Sequence, residues 1–231
     1  SVLNSIEHSE PFTVQFKQFD AHGKSIWSES KGTPVFDDDD QFEHMVVLTR
    51  DITLQKEEEM RLTYFAFHDS LTGLPNRRFF KERLEERLLE FQTSQEKLAV
   101  IMLDIDHFKG INDEMGHDVG DEAIEELGKR LSSVVRDSDT VARLGGDEFV
   151  ILLPHIQSVE QAVAVMETIQ DKVSEPWTLT DGEPLEITVS MGLAMVPDEG
   201  ATASSMLKAA DVALYEAKKA GRDGFKVKSW I

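Results

Sequence analysis

The chain has 231 residues, 40% of them apolar, and 44 acidic against 24 basic side chains give it a formal charge of −20. This excludes a disordered tail and a basic nucleic-acid binder driven by phosphate neutralisation, and the length suits one large domain or a medium domain plus a fragment. The lack of cysteine excludes a disulfide framework, a thiolate zinc site and a cysteine nucleophile, in keeping with a cytoplasmic protein, and no apolar run approaches the ~20 residues needed to cross a bilayer.

The opening Ser1–Asn4 has neither a basic flank nor an initiator Met, so the expectation is a cut in a longer chain rather than a signal peptide. Three β-type runs follow, at Pro11–Phe19, Lys24–Glu29 and Glu43–Thr49, separated by Asp20–Gly23 and by the acidic turn Asp37–Asp40. Apolar alternation at Phe12, Val14 and Phe16 predicts a half-buried strand. Three strands in about fifty residues form a sheet with no element to cover its apolar face, which is marginal as an independent core. The expected domains are therefore residues 1–54, a connecting helix over 55–67 with Asp51 and Thr53 as candidate caps, and a larger domain over 68–231. Leu62, Phe65 and Ala66 are too few to define a heptad in that helix.

Beyond Asn76, helical and strand patterns alternate. Phe80, Leu84, Leu88 and Phe91 share one helical face after an Asn76 cap, and Leu98–Leu103 is a continuous apolar run of the buried-strand kind. Ile124, Leu127, Leu131 and Val134 mark a second helix. Thr140–Arg143 and Glu148–Leu153 flank Gly145-Gly146 as a hairpin. Val159 to Val173 is a third helix; Leu185, Ile187, Val189 and Met191 alternate as a strand; Met206 to Ala220 is a fourth helix, stopped by Gly221. The pattern is that of an α/β layer domain of about 165 residues.

Two places concentrate acids. Asp104 and Asp106 end a buried strand two residues apart, and so project to one face, where two like charges are costly unless a cation sits between them. Asp147 and Glu148 follow a glycine pair that lets a bulky ligand approach the backbone. Oxygen ligands without His or Cys favour Mg²⁺ or Mn²⁺ over zinc. On spacing alone these acids read equally well as turn residues on an acidic surface.

The full strings are more specific. Asp69-Ser-Leu-Thr-Gly-Leu-Pro-Asn-Arg77, Asp104-Ile-Asp-His-Phe-Lys-Gly-Ile-Asn-Asp113, Gly116-His-Asp-Val-Gly-Asp121, Arg143-Leu-Gly-Gly-Asp-Glu-Phe149 and Ala217-Lys-Lys-Ala-Gly-Arg222 occur in that order. From about Phe67 to Lys228 the chain resembles the GGDEF-domain diguanylate cyclases. The resemblance implies a central, mainly antiparallel sheet flanked by helices, similar to nucleotidyl cyclases and polymerase palms. It implies condensation of two GTP into cyclic di-GMP with release of two pyrophosphates, across a homodimer. It also implies two Mg²⁺ (or Mn²⁺) per active site, bound by Asp104, the Ile105 carbonyl, Asp147 and Glu148, with Asp104, Asp147 and Glu148 as the catalytic acids; the role of Asp106 stays open between a metal contact and a structural hydrogen bond.

By the same resemblance Asn112 and Asp121 contact guanine, and Phe108, Lys109, Gly145, Gly146, Lys218 and Arg222 complete the substrate site. A carboxylate suits guanine because it accepts from N1–H and the 2-amino group, whereas adenine offers a lone pair at N1 and no 2-amino group. Without the resemblance, Lys218 and Arg222 would read as cations complementing a helix dipole. Arg136-Asp-Ser-Asp139, nine residues before Gly145, matches the family's product-inhibition site; read alone, Arg136 and Asp139 are a surface ion pair. His117 has no assigned chemistry, and His22 and His44 read as surface residues. Asp20–Trp27 and Arg50–Thr53 resemble the last strands of a PAS sensor domain, so residues 1–54 are expected to be the C-terminal part of such a domain. The rival readings are a GGDEF module that binds GTP or cyclic di-GMP without turnover, and a dimerising signal module. No nucleic-acid polymer and no membrane segment in this chain are expected as partners.

Overall fold

A computed structural model describes residues 10–94, 97–180, 182, 184–196 and 200–228, with Ser5 and His8; Ser1–Asn4 lies outside them. The chain divides into two compact units, Ser1–Tyr64 and Phe65–Ile231.

In the first unit, strands β1 (Phe12–Phe19), β2 (Ser25–Phe36) and β3 (Phe42–Asp51) form an antiparallel sheet in the order β1-β2-β3. Phe12 and Phe16 are half-buried as the alternation predicts, but Val14 is 43% exposed. β2 runs well past the expected end at Glu29, through Gly32 and Pro34, residues that ordinarily interrupt a strand. The Phe12 ring lies over Gly32, where a Cβ would come within 2.2 Å of it. β1 pairs only as far as Gly32, so at Pro34 one side of β2 is open and a missing N–H can be tolerated. Helix α1 (Thr53–Phe67) starts where the Thr53 N–H donates to Asp51 Oδ1 (2.8 Å) and the Trp27 N–H donates to Thr53 Oγ1 (2.9 Å). None of its residues is buried.

The second unit is built on a five-stranded sheet of β4 (Ala99–Ile105), β5 (Thr140–Gly145), β6 (Glu148–Leu153), β9 (Val189–Met195) and β10 (Gly224–Lys228), ordered β10-β9-β4-β6-β5. All pairs are antiparallel except β10 with β9. The short β7 (Trp177–Thr178) and β8 (Pro184–Leu185) form a separate ribbon. All seven residues of β4 are buried, and their period of two serves two cores. Ala99, Ile101, Leu103 and Ile105 join one cluster with α4 (His117–Val134) and α5 (Val159–Ser174); Val100 and Met102 join the other with α2 (Arg77–Ser94) and α6 (Ala203–Lys219). An uninterrupted apolar run is what a strand covered on both faces requires.

Three elements depart from the sequence reading. Helix α3 (Phe108–Met115) and strand β10 were not anticipated, because α3 is short and β10 follows the helix stop at Gly221 with only five residues. The strand expected over Leu185–Met191 is instead β9, which begins at Val189, and all seven of its residues are buried. Leu185 and Ile187 alternate because both enter the core, at 7% and 5% exposure, from the short β8 and from non-strand chain.

One cation organises the α4–α5 side. Arg130 Nη1 donates to the carbonyls of Lys172 (2.8 Å) and Glu175 (2.6 Å), Nη2 donates to that of Pro176 (3.3 Å), and the guanidinium lies 4.8 Å from the Trp177 ring centroid. It thereby satisfies carbonyls at the α5 C-terminus that have no helical partner. We expect Arg130→Ala to cost about 1–3 kcal/mol, since several acceptors lose a charged donor together. Arg130→Lys should recover less than half of that, because an ammonium cannot reproduce the planar fork. Urea denaturation of the three proteins measures both.

Candidate active site

The site forms at the C-terminal end of β4. Asp104 and Glu148 are directly opposite in the β4–β6 register, and both occupy the face that carries Val100, Met102, Val150 and Leu152. That face is covered by α6, which brings Lys218 Nζ to 2.7 Å from Asp104 Oδ1. The close approach depends on Gly192 in β9, where a Cβ would sit 2.2 Å from the Ala210 carbonyl oxygen and the Leu214 nitrogen. Alanines 209, 210, 213 and 217 continue the closely packed side of the helix.

Asp104 is buried, at 8% exposure. Its carboxyl is raised to about 6: burial is the largest cause, the Lys218 hydrogen bond opposes it, and the charges of Asp147 and Glu148 add to it. Glu148 has its own cation, Arg77, at 3.5 Å. Among the described residues no three His, Cys, Asp or Glu side chains converge closely enough to hold a metal. The acids therefore share one edge, and ammonium and guanidinium groups stand where positive charge is required.

Asp106 does not join them. It lies past the end of β4, where Oδ1 accepts from the Ser190 hydroxyl (2.6 Å) and Oδ2 accepts from the Thr188 hydroxyl (2.8 Å) and the Asp223 N–H (2.9 Å). Of the two roles left open for Asp106, these contacts are those of a structural hydrogen-bond acceptor: three donors satisfy the carboxylate.

The β5–β6 hairpin is held from outside. Gly145 and Gly146 have φ of 139° and 58°, which a side chain rarely adopts, and a Cβ at either would meet open space, so both positions stay accessible. Arg143 Nε donates to the Gly146 carbonyl (2.9 Å) and Nη1 to Asp69 Oδ1 (2.8 Å). Asp69 also accepts from the Thr72 N–H and hydroxyl, both at 2.9 Å. Burial alone would raise the Asp69 carboxyl, but these donors outweigh it and hold it below the usual range. The sequence reading gave Asp69, Thr72, Arg77 and Arg143 no roles of their own, although all four fall inside quoted motifs; only the fold brings the first motif against the hairpin.

The residues expected to contact guanine, Asn112 and Asp121, lie on α3 and α4. Gly120, the residue before Asp121, receives the Asn112 side chain: a Cβ at 120 would lie 2.0 Å from Asn112 Oδ1, so the bare glycine is where that side chain rests. Phe108 is half-buried beside it, while Lys109 and Asp121 are exposed. Ile105, whose carbonyl the resemblance assigns to metal, is the last residue of β4. Arg222 is exposed in the turn after α6. Arg136 and Asp139 lie elsewhere, on a cavity of about 350 Å³ that Pro75, Phe79 and Val141 help to line. Asp139 Oδ2 accepts from the Arg136 N–H (2.9 Å), and the Arg136 side chain is exposed. The ion pair expected of a purely surface role is not formed.

The family model described as "Diguanylate cyclase, GGDEF domain" matches residues 66–224. The chain belongs to this family. Diguanylate cyclase TpbB of Pseudomonas aeruginosa is 40% identical over 167 residues, covering 72% of this chain but only 38% of TpbB. The solved GGDEF domain of TpbB is 39% identical with a TM-score of 0.68, covering 70% of this chain and 94% of that one. The GGDEF domain of DgcB from Caulobacter crescentus, solved in complex with c-di-GMP, is 32% identical with a TM-score of 0.67, covering 71% and 96%. Family membership and activity are separate matters, since the P. aeruginosa cyclic di-GMP phosphodiesterase NbdA is 41% identical over 162 residues, covering 70% of this chain and 20% of NbdA.

The charge at Asp104 gives this GGDEF domain a measurable pH signature. The folded carboxyl is raised to about 6 from the ordinary aspartate value of 3.8, so without metal Asp104 opposes folding above pH 6, and that cost fades as pH falls towards 4. Asp104→Asn should therefore raise the thermal midpoint of the metal-free protein at pH 8, and the gain should vanish near pH 4. Calorimetry across that range reads the effect; a variant less stable than the parent at pH 8 would contradict the charge balance.

Proposed function

We propose that this GGDEF domain is a diguanylate cyclase that condenses two GTP into cyclic di-GMP and releases two pyrophosphates. The supporting observation is the opposition of Asp104 and Glu148 at one sheet edge, each already beside a cation, with Asn112 of α3 packed against Gly120, the residue before Asp121, on α4. A chain of charge −20 can accept a triphosphate there only if the acids are offset by positive charge. Among the described residues the acids form no ready-made metal cluster while Lys218 and Arg77 occupy Asp104 and Glu148, but the donor set suits hard divalent ions: with those cations displaced, Asp104, Asp147, Glu148 and the Ile105 carbonyl would hold two Mg²⁺ or Mn²⁺, and the buried, incompletely compensated Asp104 is the kind of ligand such ions stabilise. Bound, they would supply charge stabilisation at the reacting phosphate and the departing pyrophosphate.

The residues of the chain supply position and selectivity. Asp121 would accept from guanine N1–H and the 2-amino group, with Asn112 beside it. Lys218, once released from Asp104, and Arg222 would contact phosphate oxygens, together with Lys109 and backbone N–H groups at the start of α3. Gly145 and Gly146 keep the hairpin backbone open to the nucleotide, and Phe108 backs the base. In each half-reaction the 3′-hydroxyl of one GTP attacks the α-phosphorus of the other, forming one phosphodiester and expelling one pyrophosphate. Two sites must face each other for both bonds to form, so a homodimer is the working unit. The exposed Leu54, Leu62 and Phe65 of α1 offer apolar surface for pairing with a second helix.

Chromatography of GTP reactions, with metal and with chelator, across an enzyme dilution series, tests this. We expect metal-dependent cyclic di-GMP formation whose rate per chain rises with enzyme concentration in the dilute range, and loss of product in Asp147→Ala. GTP binding without turnover under all conditions would instead mark a receptor.

Arg136 and Asp139 are proposed as an inhibitory product site, because an exposed guanidinium beside a cavity can bond a guanine edge or a phosphate and can stack on a base. Arg136→Ala should leave the initial rate unchanged and remove the slowing of progress curves by added cyclic di-GMP. A parent enzyme indifferent to micromolar product would refute the site.

A further inference from the structure

The turn that carries Arg222 is strained. Gly221, Arg222 and Asp223 have consecutive φ values of 127°, 65° and 44°, and a non-glycine residue stays in the left-handed region only where its surroundings impose it. The surroundings here are identifiable. The Arg222 N–H donates to the Ala217 carbonyl (3.2 Å), closing the end of α6. Gln170 Nε2 reaches from α5 to the Asp223 carbonyl (3.1 Å) and Oδ1 (3.2 Å). The Asp223 N–H donates to Asp106 Oδ2 (2.9 Å).

Asp106 is the one of these partners that directly follows the active-site strand β4. It is 5% exposed, and besides Asp223 it accepts from Thr188 and Ser190 on the approach to and within β9, while its own N–H donates to the Thr188 carbonyl (2.9 Å). Ser190 is in turn the register partner of Gly224, the first residue of β10. A single carboxylate thus ties the end of β4, the start of β9 and the turn between α6 and β10.

We propose that Asp106 is a positioning residue: by holding the Asp223 N–H it fixes the left-handed Arg222–Asp223 turn, and so holds the Arg222 side chain beside the phosphates that Lys218 also contacts. The effect on catalysis rests on the GTP-binding role proposed above for Arg222. The anchoring itself does not, since it is a property of the folded chain.

The distinction between anchor and metal ligand lies in the chemistry of Asp106→Asn. An asparagine can turn its oxygen towards Thr188 and Asp223 and donate its amide N–H to the Ser190 hydroxyl, which is able to accept. An anchor therefore survives this change and a divalent-cation ligand does not. Asp106→Ala removes the acceptor entirely.

The test combines amide hydrogen exchange at Asp223 with steady-state kinetics of Asp106→Asn, Asp106→Ala, Arg222→Ala and the double alanine variant. We expect Asp106→Ala to speed exchange at Asp223 while β4 amides stay protected, and to raise the KM for GTP about tenfold with kcat within about threefold. The double variant should be no worse than the poorer single one, the mark of two residues acting as a unit. Asp106→Asn should stay near the parent in both readouts. If Asp106→Ala does not fold, Thr188→Val, which removes one of the three donors and loosens the same carboxylate, should show a smaller shift in the same direction. Unchanged Asp223 exchange would overturn the anchor, and additive KM effects would reduce Asp106 to a structural residue. Loss of turnover in Asp106→Asn as deep as in Asp104→Asn, with Asp223 still protected, would make it a metal ligand. A parent protein that binds no GTP would sink the cyclase reading alone, and the exchange data would still decide the anchor.

Discussion

The ion pair between Asp104 and Lys218 expresses the constraint around which this site is built. A carboxylate buried at the end of a fully covered strand, with Asp147 and Glu148 nearby, needs a positive neighbour; the fold supplies an ammonium at 2.7 Å and still leaves the carboxyl raised to about 6. That residual imbalance is what a cation-bound triphosphate can relieve. Lys218 reaches the acid only because α6 lies directly on the backbone of β9 at Gly192, so a packing detail on one core controls the electrostatics at its edge.

The two neighbouring acids are treated differently by the same principle. Asp106 receives three neutral donors and becomes a joint between strands, whereas Asp104 receives one cation and stays poised. Neutral donors fix a carboxylate in place, because each hydrogen bond has a direction. A flexible lysine balances charge while remaining able to leave, since its ammonium is a point charge on a long stem. A similar division runs through the hairpin: Arg143 is fastened to Asp69 and the Gly146 carbonyl, while Arg77 approaches Glu148 loosely at 3.5 Å.

Much of the fold was legible. The apolar run from Leu98 predicted β4 because a strand covered on both faces has no polar side to show. The 3.6-residue spacing of Phe80, Leu84 and Leu88, and of Ile124, Leu127 and Leu131, predicted α2 and α4 because each buries a single stripe. Where the reading failed, periodicity carried no information. Leu185 enters the core from the two-residue β8 and Ile187 from chain that is not a strand, and β2 continues through Gly32 and Pro34 because an aromatic ring covers one and an open strand side tolerates the other.

The sequence by itself determined the chemistry available: the acids, the polar side chains of Asn112 and Asp121, the glycines of the hairpin and the order of five motifs that places the chain in the GGDEF family. Local spacing also determined that Asp104 falls on a buried strand and Glu148 just after a glycine turn. The tertiary structure alone decided which charges meet. Asp106 is separated from Ser190 by 84 positions and from Asp223 by 117, and no local pattern can encode a partner at that range. The pairing of β4 with β6 and β9, and the close seat of α6 on Gly192, bring those groups within hydrogen-bond reach, which makes one aspartate of the motif a buried acid balanced by a lysine and the other a joint.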